Sequence, residues 1–363
     1  VPSSTSSSDR RLPRLAWAPL LAGALLILLA CAGGMETALA LRGFRPSTAE
    51  SARAWSEQRA RLDALGDRGL ALVGASRILL DVDLATLRVR TGLEPVQLGI
   101  EGGSFLPVLA GLANDQDFHG QVMVELEVQT LAEPAPGNAA FGYQQDYQRR
   151  SRKSLPDFRS SEDYLSDQVY RRLRSYADGS RPLTALLHRV LSRPLVDQYL
   201  RQLPDREVLA DYSRVPMPYF YYFRAFRNLD GSSDPPADLS FAQMDERLRE
   251  RIASLQPVDD RFFQGVLPAV YAMASLIQQR GGKVSFVAFP TSGYVKQIDE
   301  RRYPRRLFWD RFTAGADAPT LDSAEVPALS AFDCPDGSHL DFRDRGRFTA
   351  ALVTALHLGA HAP

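Results

Sequence analysis

Cysteine is almost absent: two residues, Cys31 and Cys334, in a chain of 363. One sits in an apolar run and the other lies far along the chain, so an internal disulfide between them is not expected. Histidine is scarce as well. The five, at 119, 188, 339, 357 and 361, show no metal-ligand spacing, and neither a structural zinc nor a cofactor is expected. Neither sign of charge is in excess, with 43 basic against 43 acidic residues. A chain that grips nucleic acid normally carries a basic surplus, so that class of partner is set aside. Internal repeats are also missing. What is present is ample apolar material, 45% of the residues. That suffices for two average domains, or for one α/β domain carrying a large insertion.

The apolar residues begin early. A Ser-rich start reads as a disordered cytoplasmic tail over 1–14. Arg10, Arg11 and Arg14 then lead into "LAWAPLLAGALLILLACAGG" (15–34), twenty residues without a charge. This length suits a transmembrane anchor, placed over 15–40, and the leading arginines favour a cytoplasmic N-terminus. Two rival readings exist: "ALA" (38–40) as a signal-peptidase site, and "LLAC" (28–31) as a lipoprotein box with Cys31 acylated. All three place the chain beyond about residue 45 outside the cytoplasm.

After the anchor, 46–69 reads as a stalk or surface helix opened by a Ser47-x-x-Glu50 capping box. Strands are expected over 70–77, 96–104 and 121–128, with helical segments over 78–92 and 105–115 between them. That rhythm indicates α/β with a parallel sheet and crossover helices. It stops near 131 and resumes near 259, with a helix over 260–282, a strand over 284–290, a last strand over 324–332 and a closing helix over 344–359. A discontinuous domain (70–130 and 259–363) thus encloses an insertion, 131–258. Helices are expected there near 162–176 and 183–203. The aromatic and arginine run "PMPYFYYFRAFR" (216–227) reads as packing against the core domain, in preference to sugar stacking or a membrane interface.

Reactive chemistry is expected where strands end. Ser76 follows the first strand in Gly74-Ala75-Ser76-Arg77-Ile78, where its hydroxyl can reach the sheet rim and its own N–H can face an oxyanion. The second glycine of a G-x-S-x-G elbow is missing, which disfavours the α/β-hydrolase fold. Gly99-Ile100-Glu101-Gly102-Gly103-Ser104 ends the second strand, and a glycine N–H there can serve as a second donor. Near the C-terminus, Asp336-x-x-His339 puts a carboxylate within reach of the imidazole Nδ1–H of the same loop, leaving Nε2 to take a proton from Ser76.

In this order the three signals resemble the SGNH (GDSL-like) hydrolase and acyltransferase superfamily, closest to divergent membrane-anchored members that acylate bacterial surface polysaccharides. The resemblance implies a flavodoxin-like three-layer parallel sheet with a large, mostly helical insertion. It further implies Ser76 as nucleophile, Asp336 as orienting acid and His339 as base, with oxyanion donors from Ser76 and Gly102. The family's Gly-x-Asn-Asp block after the third strand is absent. "GLAND" (111–115) precedes the strand, so Asn114 reads as a helix end, and Gln129 stands as a substitute donor. The implied activity is O-acyl (acetyl) transfer to, or removal from, a cell-surface polysaccharide, supplied by a membrane acyl-donor protein. The implied place is the periplasmic face of a bacterial inner membrane, reached by a single pass. The rival class is a catalytically degenerate scaffold that binds glycan or a membrane partner.

Overall fold

The computed structural model describes residues 17–134, 138–151, 158–176, 198–231 and 239–358. Among the described residues there are seven strands: β1 (Gly69–Val73), β2 (Glu94–Gln97), β3 (Gln121–Glu125), β4 (Leu200–Gln202), β5 (Val208–Ala210), β6 (Lys283–Ala288) and β7 (Thr320–Asp322). Five form one sheet in the order β2-β1-β3-β6-β7, every pair parallel. Counted along the sheet this is 2-1-3-4-5, a doubly wound order whose direction reverses beside β1, and ligands gather outside the carboxyl ends at such a point. Strands β4 and β5 pair antiparallel as a separate hairpin inside the insertion.

Burial explains the strand sequences. All five residues of β1 are buried, because helices cover both faces of a parallel sheet. Successive side chains alternate between two cores. Ala71 and Val73 join Trp55, Leu109, Val122, Phe263, Phe286 and Phe308 on one face. Leu70 and Leu72 join Met123, Val287, Phe348 and Leu352 on the other. The first face is roofed by helices Ala52–Leu65, Leu106–Asn114 and Arg261–Gln279, the second by Leu84–Thr91 and Arg345–Ala355. Asn114 does end its helix.

Several expectations need correcting. Of the two readings of 46–69, helix Ala52–Leu65 is a surface helix and no stalk: Glu57, Ala60 and Asp63 are exposed, whereas Trp55 and Leu62 are wholly buried and the Trp55 indole N–H donates to Leu98 O at 2.9 Å. Its N-cap is Ser51, which accepts the Ala54 N–H at 3.1 Å. Ser47 instead accepts the Gln202 N–H of β4 at 2.9 Å, and Glu50 pairs with Arg206 at 2.5 Å. A partner across the fold outcompeted the local box. The last strand is β7 rather than 324–332, where Pro327 opens the four-residue helix Pro327–Ser330. Proline has no N–H for a ladder and suits a first helical turn. Strands β2 and β3 stop early, at Gln97 and Glu125, so Val128 already starts a helix, Val128–Ala132. In the insertion, residues 200–202 are strand rather than helix. The tail 1–14 and the stretch 183–197 lie outside the described residues. The aromatic run packs partly within the insertion and partly on the core domain: in helix Tyr219–Asp230, Tyr222, Phe226 and Leu229 share a cluster with Met244, Leu248 and Ile252 of the insertion helix Phe241–Ser254 and with Ile298 of the core domain.

At the N-terminus, helix Trp17–Leu41 is long and apolar enough for a single membrane span or a signal sequence, and none of its apolar window is buried in the domain.

Candidate active site

The turn that carries Ser76, the candidate nucleophile, is built around the buried carboxyl group of Glu125. Glu125, at the end of β3, accepts the N–H groups of Ala75 at 2.7 Å and Ile78 at 3.1 Å through one oxygen, Oε2. These two amides bracket Ser76 and fix the turn between β1 and helix Ser76–Asp81. Gly74 is required by crowding, since a Cβ there would fall 2.4 Å from Glu125 Cβ. At its other end the same helix reaches the second half of the site, where Asp81 Oδ1 accepts the Leu340 N–H at 2.9 Å. The serine and the loop that follows Asp336 are therefore tied together directly.

That loop is held from within. Asp336 is fully buried; its Oδ1 accepts the N–H groups of Ser338 (2.9 Å) and His339 (2.8 Å). Gly337 has φ +85°, and a Cβ there would also strike Val295 Cγ2 at 2.6 Å, so glycine alone permits this path. Ser292 donates its N–H to Gly337 O at 2.9 Å and accepts the Cys334 N–H on its hydroxyl at 3.0 Å. The result is a continuous chain. Asp336 Oδ2 lies 2.9 Å from His339 Nδ1, and His339 Nε2 lies 2.8 Å from Ser76 Oγ. With the carboxylate accepting from Nδ1–H, Nε2 is left bare to accept the serine proton, the tautomer that general-base chemistry needs. Burial would push the Asp336 carboxyl up, but the hydrogen bond and charge of His339, aided by Arg224, hold it well below the usual range. It stays ionised, as a partner for an imidazolium must.

Two contributors were not read from the sequence. Arg224, from the insertion helix Tyr219–Asp230, places Nε 3.2 Å from Asp336 Oδ2. It brings the insertion into direct contact with the charge chain; the aromatic and arginine run 216–227 contains it, but nothing in the sequence names Asp336 as its partner. Arg224→Gln is expected to slow acylation of Ser76 about tenfold, the loss of one charge-assisted contact. Labelling kinetics with a fluorophosphonate check this; an unchanged rate would mean the loop alone holds Asp336. Glu125 did leave a signal, a lone acid at the end of an apolar strand, where burial demands partners.

Glu125 also sets a pH dependence. Burial, then repulsion by Glu127, pushes its carboxyl up to about 7. The folded protein keeps this proton while the unfolded chain releases it near the ordinary glutamate value. The contribution to stability is therefore greatest at low pH and is lost as pH rises from about 4.5 to 7. Glu125→Gln is expected to remove that slope from denaturant midpoints measured across the window.

The proposed donors fare differently. Ser76 N–H begins its helix, where no intrahelical acceptor exists. Gly102 is exposed with φ +62°, and its loop is joined to the nucleophile turn by the Ile100 N–H bond to Gly74 O at 3.0 Å. Gln129 does not simply follow a strand. It is exposed on helix Val128–Ala132, in the wall of an adjoining cleft of about 990 Å³, and among the described residues no hydrogen bond joins it to the triad. That cleft runs along the carboxyl ends of β3, β6 and β7, with Arg77, Ser292, Lys296, Arg306 and Phe332 in its lining. Among the described residues, no group of three or more His, Cys, Asp or Glu is placed to hold a metal ion.

Chemically, the arrangement can remove a proton from a serine hydroxyl, stabilise the resulting imidazolium, and return the proton to a leaving group. No protein-family model, curated protein or solved structure matches this chain.

Proposed function

We propose that the protein is a serine-dependent acyl-ester enzyme of SGNH type that moves an acyl group to or from a carbohydrate hydroxyl. The observation that carries this reading is the unbroken chain from Ser76 Oγ through His339 to Asp336, with contacts of 2.8 and 2.9 Å. Ser76 attacks the acyl carbonyl as His339 takes its proton. His339 then protonates the leaving oxygen, giving an acyl-serine. A second hydroxyl, from water or sugar, attacks in the reverse sense and frees Ser76. His339 is 3% exposed while Ser76 is only partly buried, so transfer over hydrolysis rests on a sugar hydroxyl reaching the acyl-serine ahead of water. The resemblance of the sequence blocks to the SGNH superfamily suggests an acetyl group, a cell-surface polysaccharide and a membrane acyl donor, with the domain on the extracytoplasmic side. The test is mass spectrometry after fluorophosphonate treatment. A single adduct on the Ser76 peptide is expected. No adduct on the folded protein would favour a scaffold that binds glycan or a membrane partner.

A further inference from the structure

We infer that the arginines gathered where helix Trp17–Leu41 ends form a docking surface for the anionic headgroups of the bilayer that helix enters. The inference is independent of the acyl-transfer reading. Its first support is position. The uncharged run ending at Gly34 spans, at about 1.5 Å per residue, roughly the 30 Å of a hydrocarbon core. Two residues later, Glu36 is bound into the domain: it accepts the N–H groups of Arg174 and Ser175 at 2.8 Å each, and the Ser175 hydroxyl at 2.7 Å. Leu39 and Phe44 are buried against one another and Met35. The helix therefore passes into the domain without a free linker, and Arg42 lies eight residues, about 12 Å along the axis, beyond Gly34, within reach of the headgroup layer for a long side chain that snorkels back toward it.

The second support is charge. Arg42, Arg45, Arg201 and Arg214 surround this exit. Arg214 Nη2 donates to Arg42 O at 2.8 Å and Arg201 Nε to Pro46 O at 3.2 Å. Gln198 braces Arg45, accepting its N–H at 2.9 Å and donating to its carbonyl at 3.0 Å. Among the described residues none of the four has an ion pair, whereas Arg305 meets Asp310, Asp322 and Glu325. The nearby acids are engaged elsewhere, Glu36 with Arg174 and Glu50 with Arg206. Burial, and after it the charge of Arg45, lower the pKa of Arg201. Four unmatched guanidinium-bearing side chains beside a membrane helix fit phosphate-bearing lipid, and continuity with the span selects lipid over a free anion.

The position also bears on the site. Strand β4 is bonded to the exit segment through Thr48 N–H to Gln202 O at 3.0 Å. Its partner β5 is bonded to the catalytic loop through Phe342 N–H to Ala210 O at 2.9 Å. One hairpin thus links the arginine collar to the segment following His339, so docking on lipid sets the attitude of the site toward the bilayer.

The experiment uses the full chain in phosphatidylcholine vesicles containing spin-labelled phosphatidylglycerol or spin-labelled phosphatidylcholine. At low salt the anionic probe should be immobilised by the protein several-fold more than the neutral one. Arg42→Gln with Arg45→Gln, both exposed, should lower that preference about fivefold or more, and 0.5 M salt should act in the same direction. The triple change Arg10→Gln, Arg11→Gln and Arg14→Gln tests the opposite end of the helix and should leave a clear preference. If the double variant melts like the wild type yet keeps the full preference, or if the triple change alone abolishes it, the inference is overturned.

Discussion

Ser76→Ala is expected to abolish fluorophosphonate labelling and to reduce ester turnover by at least about four powers of ten, because Ser76 is the proposed carrier of the acyl intermediate. His339→Ala should lose about as much, since Ser76 Oγ, 2.8 Å from His339 Nε2, then has no base. Combining the two should cost little more than either alone, because a nucleophile without its base is already idle. Asp336→Asn should cost on the order of 10⁴ in kcat through a different route. An amide at Oδ2 can donate where the carboxylate accepted, which turns the imidazole to the wrong tautomer. This variant also strands Arg224, so its melting curve should be recorded beside its rate. The proposed mechanism fails if Ser76→Ala retains turnover with well-folded protein.

The largest expected effect on stability lies away from the site. Arg345 is 1% exposed; Nη2 meets Glu207 Oε1 at 2.8 Å and also the Val82 carbonyl. Glu207 accepts the Leu84 N–H at 2.9 Å as well, so this pair fastens the loop between β4 and β5 to the closing helix and to helix Leu84–Thr91. Arg345→Met should destabilise by about 3–5 kcal/mol, because it leaves a buried carboxylate without its cation. Burial already raises the Glu207 pKa despite Arg345. Without the arginine the folded protein would hold that proton further, while the unfolded chain still releases it near the ordinary value. The loss should therefore grow as pH rises above about 4.5, measured by urea melts at pH 4.5 and 8. Adding Glu207→Gln should recover much of it, since Arg345 Nε and Nη1 have no partner even in the native pair. A single variant as stable as the wild type at pH 8 would contradict this account.

Much of the architecture was legible because it rests on local periodicity. Runs such as "LALV" and "VMV" are apolar on both faces, as a parallel strand covered on both sides requires, and the regular helices between them follow. Boundaries failed where tertiary partners intervened. Ser47 looked like a cap, yet bonding to β4 outcompeted it. The segment 324–332 looked like a strand, yet Pro327 began a helix there. Gln129 was placed by a strand end that lies at Glu125 in the fold, and so it belongs to a short helix in the wall of the adjoining cleft.

By itself the sequence determined an apolar N-terminal helix, an α/β domain interrupted by an insertion, and three residues whose order along the chain suits acyl chemistry. The local geometry of Asp336 and His339 belongs to that part, because a turn three residues long carries its own hydrogen bonds. Only the tertiary structure decided that Ser76 meets His339 across 263 residues of chain. It also decided that Glu125 fixes the nucleophile turn and that Arg224 reaches Asp336. Contacts of this kind depend on how strands are ordered and where an insertion folds back. A residue's type and spacing state what it can bond, but its partner is set by which distant segment the packing brings to the same edge of the sheet.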